Sequence, residues 1–127
     1  MFISKTPLGV ASCTPAMRAL HFKFKDLFRA HCPDFETPGT AVDPVGYPEP
    51  APGKSNLNIC SASVAQAFPG CLALTLEMPY KGNINAGLAA AEGFSVEQCR
   101  VLGRGSVDAM ADTLPLLLRR AGIRTEA

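Results

Sequence analysis

The run Cys71-Leu-Ala-Leu-Thr-Leu-Glu77 alternates without a break, and it constrains this chain more than any other feature. A side-chain period of two is that of a strand, with Leu72, Leu74 and Leu76 on one face and Cys71, Ala73, Thr75 and Glu77 on the other. Pro69-Gly70 stands before it, and Met78-Pro79 ends it because proline has no N–H for a ladder. A lone strand leaves a row of backbone donors and acceptors unpaired. Either other residues of the chain supply more strands, or this strand is built to join a sheet the chain does not contain.

The remaining periodic segments are helical. Thr14-Pro15 provides an N-cap followed by proline at the first helical position. Met17, Leu20, Phe24, Leu27 and Phe28 follow at helical spacing, with Arg18, Lys23, Lys25 and Arg29 mostly off that face, so a helix is predicted over about 15–31. It stops at Cys32-Pro33, since proline disfavours helical backbone in the residue before it. From Pro33 to Lys54 the chain holds six of its eleven prolines, a composition that punctuates and reads as one long ordered loop. An Ala- and Ser-rich second helix is predicted over about 56–68, closed by Pro69-Gly70. Ser95 with Gln98 forms a capping box for a third, over about 96–120, whose face is Cys99, Leu102, Gly103, Ser106, Val107, Met110, Leu114 and Leu117. Pro115 kinks or restarts that helix, and Gly122 is its C-cap.

At 127 residues this is one domain's worth of chain. A formal net charge of +1 removes the electrostatic case for a nucleic-acid partner or a polybasic membrane contact. The apolar runs fall well short of the roughly 18 residues that cross a bilayer, and no secretory leader is visible at the N-terminus. Cys13, Cys32, Cys60, Cys71 and Cys99 are odd in number and contain no Cys-x-x-Cys pair. They read as reduced thiols that serve as small hydrophobes in packing, in a cytoplasmic protein.

Glu77 is the residue with chemical promise. Ligands gather beyond the carboxyl ends of strands in open α/β sheets, where a carboxylate can act as acid and base. A strand-end glutamate held in a salt bridge is the competing reading. The segment Phe68-Pro-Gly-Cys-Leu-Ala-Leu-Thr-Leu-Glu-Met-Pro-Tyr-Lys81 resembles the catalytic-glutamate strand of the zinc metallocarboxypeptidases, in their cytosolic carboxypeptidase-like branch. His31-Cys-Pro-Asp-Phe35, Gly46-Tyr-Pro48, Ala51-Pro-Gly53, Ser55-Asn-Leu57 and Gly93-Phe-Ser-Val-Glu-Gln98 with Leu102-Gly103 resemble flanking pieces in the same order. The likeness runs over about residues 15 to 120.

The resemblance implies the C-terminal portion of a carboxypeptidase-like, mixed-sheet α/β domain over residues 15–121, after an unplaced segment 1–14 and before a tail 122–127. It implies C-terminal peptide-bond hydrolysis, with a peptide or protein C-terminus as substrate and Glu77 as general acid and base toward a zinc-bound water. It places Thr75 against the pocket for the C-terminal side chain, where an ordinary β-branched strand residue is the alternative. Zinc belongs to the family, but a catalytic zinc takes three protein ligands. This chain has only His21 and His31, with no His-x-x-Glu, so none is expected to bind it alone. Gly82 stands where the family has Asp after Lys81, and Tyr80 and Lys81 read as a packed ring and a solvated cation. The expectation is a truncated segment that carries the general base. The alternatives are a subunit completing a separate zinc-binding chain, and a non-catalytic interaction module.

Overall fold

The computed structural model describes residues 2–3, 6–32, 49–77 and 95–123. In order these form β1 (Phe2–Ile3), a 3-10 turn (Thr6–Gly9), α1 (Pro15–His31), α2 (Cys60–Ala67), β2 (Leu76–Glu77) and α3 (Val96–Arg120). Helix dominates. The one sheet among the described residues pairs β1 with β2 antiparallel, Phe2 opposite Glu77 and Ile3 opposite Leu76. The loop segment 33–48, the stretch 78–94 with Tyr80, Lys81 and Gly82, and the tail 124–127 lie outside the described residues.

Two compact units divide the chain, Phe2–Phe22 with Pro38–Glu77, and Lys23–Thr37 with Met78–Ala127 and Met1. α1 gives its first half to one and its second half to the other. It begins where its cap dictates: the Thr14 hydroxyl accepts from the Met17 amide at 3.2 Å, and Pro15 occupies the first helical position, whose N–H has no use inside a helix.

In the first unit Ile3, Leu8, Val10, Met17, Leu20, His21 and Ala62 are buried. α2 packs on the 3-10 turn. Gly9 permits the close passage of Pro50: a Cβ at Gly9 would stand 2.6 Å from Pro50 Cβ and 2.7 Å from Ser55 Oγ. The Ser55 amide donates to the Gly9 carbonyl at 3.3 Å. Arg18 forms a two-pronged ion pair with Glu49, one arm at 2.8 Å, and its guanidinium lies 5.3 Å from the Phe22 ring centre. The hydrogen bond to Glu49 raises the Arg18 pKa.

The second unit buries Phe24 and Phe28, with ring centroids 5.9 Å apart, together with Cys32, Leu102, Ala109 and Thr113. The capping box closes the start of α3: the Gln98 amide donates to Ser95 Oγ at 3.1 Å and the Ser95 amide to Gln98 Oε1 at 2.8 Å. At its end Gly122 has φ +74°, and the Ile123 and Gly122 amides donate to the carbonyls of Leu118 and Arg119 at 2.9 and 3.1 Å. That is a Schellman closure, which needs a left-handed residue and so favours glycine. Pro115 sits inside the helix without ending it.

Four expectations change. Among the described residues the strand expected over 71–77 is a ladder only at Leu76–Glu77, where it pairs with Phe2–Ile3. All of Leu72 to Glu77 is half-buried, with no distinction between the faces. A mixed sheet is therefore not part of the described structure. The second helix starts at Cys60 rather than near 56, since the Asn56 side chain accepts the Asn58 amide at 3.0 Å and holds a turn there instead. α3 buries Leu102, Gly105, Ala109 and Thr113, while Val107, Met110 and Leu114 of the expected face stay exposed. Bulk explains this: Gly105 lets α3 approach the end of α1, which larger residues forbid. Finally, only Cys32 is a buried thiol; Cys60, Cys71 and Cys99 are exposed and Cys13 is intermediate. Lys25 is also buried, its stem lying in the same helical row as His21 and Phe28.

Candidate functional site

Glu77 is the second residue of β2 and stands opposite Phe2. It is half-buried, and among the described residues no Lys, Arg or His lies within ion-pair distance of it. A half-buried carboxylate keeps access to water, which a group that takes up and gives back a proton uses.

Thr75, two residues earlier, is held by a contact that connects the strand segment to α2. Its Oγ1 donates to Ser61 Oγ at 2.7 Å, and Ser61 is buried. The position of Ser61 follows from the shortness of α2, whose second residue it is. With its proton spent on Ser61, Thr75 retains acceptor capacity and its methyl group.

The residues that precede them line a cleft in the same unit, of about 300 Å³ counted with its open mouth. Cys71, Leu72 and Ala73 reach this cleft from the strand segment, Met17 and His21 from α1, and Ser12 and Cys13 from the turn before it. Ser12 Oγ donates to the Ala65 carbonyl at 3.0 Å and so ties the cleft's rim to α2. Neither Thr75 nor Glu77 lines this cavity. Sequence reasoning missed Ser61 and the cleft residues Ser12 and Cys13, because none lies in a motif. An Ala/Ser-rich helix next to a strand is the one signal that pointed toward a hydroxyl partner.

The described residues do not fit a catalytic zinc. No three His, Cys, Asp or Glu side chains among them come together as a metal site. His21 is buried in the first unit. His31, in the second, meets Asp112 Oδ2 through Nε2 at 2.8 Å. A His and a carboxylate are one ligand short of the usual protein set. No helix among the described residues is long and apolar enough to cross a membrane.

No family model matches the sequence, and no curated protein matches it. Among solved structures the chain is similar to a metallo-carboxypeptidase from Pseudomonas aeruginosa in complex with (2-guanidinoethylmercapto)succinic acid. The TM-score is 0.76 at 28% sequence identity, over 91% of this chain and 28% of that one. The chain thus spans little more than a quarter of the length of the protein it matches. What the neighbour shares with this chain is the fold of that segment.

Proposed function

We propose that this chain is a segment of a zinc-dependent metallocarboxypeptidase of the cytosolic carboxypeptidase-like branch. It carries the general base for hydrolysis of the C-terminal peptide bond, and the metal ligands come from other polypeptide. The observation that carries the reading is a fold match over 91% of the chain that contains the Thr75-Leu-Glu-Met-Pro79 motif.

Glu77 is the proton carrier. It takes a proton from the attacking water and returns it to the leaving amine, the two-way use that a solvent-accessible carboxylate permits. Thr75 forms part of the wall for the side chain of the residue released, presenting its methyl group while Ser61 fixes its rotamer. The substrate is a peptide or protein C-terminus. A cytoplasmic setting agrees with five free cysteines.

The test is reconstitution. The chain is combined with a polypeptide bearing a His-x-x-Glu and a later His, zinc is added, and release of the C-terminal residue from a peptide is followed by mass spectrometry. Release in the combination, none from either part alone, and loss with Glu77→Gln are the expected results. Undiminished release with Glu77→Gln would remove Glu77 from the mechanism.

A further inference from the structure

Two thiols share one cleft of the first unit. Cys13, in the turn before α1, and Cys71, at the start of the strand segment, both border it, although they stand 58 positions apart in the chain. Hydrogen bonds anchor both to the same end of α2. Ser12 Oγ, one residue before Cys13, donates to the Ala65 carbonyl at 3.0 Å, and the Cys71 amide donates to the Phe68 carbonyl at 2.8 Å. Ala65 and Phe68 are one helical turn apart, and the Phe68 amide closes that turn on the Val64 carbonyl at 2.8 Å. The backbone on two sides of the cleft is thus pinned to a single turn of helix, with a cysteine on each side.

The other three cysteines do not border this cleft. Cys60 is the first residue of α2, about 10 Å along the helix axis from its last residue, Ala67. Cys32 is buried and, with Cys99, belongs to the second unit.

We infer that Cys13 and Cys71 form a redox-active dithiol, which hydrogen peroxide closes to a disulfide across the cleft. Exposure sets the order of the two steps. Cys71 is exposed and Cys13 half-buried, so Cys71 meets the oxidant first. Its thiolate attacks one peroxide oxygen and the O–O bond breaks; Cys71 becomes a sulfenic acid, and the other oxygen leaves as water after taking up a proton. The Cys13 thiolate then attacks the Cys71 sulfur, the S–O bond breaks, and the hydroxide leaves with a proton as a second water. Two thiols and one peroxide give one disulfide and two waters, the sulfurs losing the two electrons that the peroxide gains. In a reducing compartment such a pair is open at rest and closes transiently under oxidant. Bridged cysteines have Cα atoms no more than about 7 Å apart, so closure also fixes the width of the cleft at this point. It ties the start of α1 to the segment that carries Thr75 and Glu77, four and six residues beyond Cys71. The inference is independent of any catalytic role for Glu77.

The test is oxidation of the full chain. Dilute reduced protein is freed of reductant, treated with an equivalent of hydrogen peroxide, alkylated, digested without reduction and read by mass spectrometry. A monomer carrying a Cys13–Cys71 linkage is the expected main product. Linkage chiefly through Cys60 or Cys99, intermolecular disulfides only, or no disulfide would overturn the proposal. In Cys13→Ser the second step is blocked, so dimedone should label Cys71; absence of label from Cys71 would reject it as the sulfur oxidised first. Because the linkage closes a long loop, the oxidised chain should melt about 5–15 °C above the reduced one, dithiothreitol should reverse the rise, and Cys71→Ser should abolish it. A linked chain that melts no higher than the reduced chain would show that the bridge strains the fold, and would overturn the reading of a pair held ready by α2.

Discussion

A Cβ on Gly105 would stand 2.9 Å from the carbonyl oxygen of His31 and 3.1 Å from its carbonyl carbon, and would collide with Cys32 Sγ. This single close approach seats the end of α1 on the middle of α3. It accounts for the use of the small-residue face of α3, because Cys32 Sγ also comes within 4.0 Å of the Leu102 carbonyl. Gly105→Ala should destabilise the chain by about 1–3 kcal/mol, the usual cost of overpacking a buried contact, despite alanine's higher helix propensity. Gly103→Ala, whose Cβ meets open space, should instead stabilise the dilute chain by about 0.5–1 kcal/mol. Urea denaturation of the two variants side by side checks both signs.

The Thr75–Ser61 hydrogen bond should be measurable by a double-mutant cycle. Thr75→Val and Ser61→Ala each remove one partner, and the coupling between them is expected at about 0.5–1.5 kcal/mol, the net worth of a typical intramolecular hydrogen bond. Coupling indistinguishable from zero would mean that the two hydroxyls do not hold the strand segment to α2.

For Glu77 the expected pattern is a split between stability and activity. The side chain is half-buried and has no cation partner among the described residues, so Glu77→Gln should leave the unfolding midpoint nearly unchanged. In the reconstituted peptidase the same change should lower turnover by about 10²–10⁴-fold, the range contributed by a positioned general acid–base group. A large loss of stability with little loss of turnover would assign Glu77 a structural role.

The two ends of α3 offer a local check. Ser95→Ala removes the hydroxyl that accepts the Gln98 amide and should cost about 1 kcal/mol. Gly122→Ala forces a Cβ into left-handed backbone at φ +74° and should cost about 1–2 kcal/mol. Thermal melts of the two single variants give the measurement.

Much of the helical structure was legible because its signals are local. Thr14 and Pro15 set the start of α1, the Ser95–Gln98 box that of α3, and Gly122 its end. Each acts through hydrogen bonds to residues within a few positions of itself, so the sequence alone determines them. Glu77 and Thr75 were legible as candidates for the same reason, being carried by a contiguous motif. The strand was overread, since alternation shows only what a segment can do. A ladder needs a second segment, and among the described residues the pairing covers only Phe2–Ile3 with Leu76–Glu77.

Tertiary structure decided the rest. Both the Leu102–Gly105–Ala109–Thr113 face and the Val96–Met110–Leu114 face of α3 satisfy helical spacing, and periodicity cannot rank them. The choice falls to the small face because the end of α1 needs backbone-to-backbone proximity at Gly105, a requirement set by a segment more than seventy positions away. Lys25 is buried despite its charge, and Ser61 meets Thr75 across fourteen positions. Packing joins residues by volume and distance, and neither is written in the spacing of a single helix or strand.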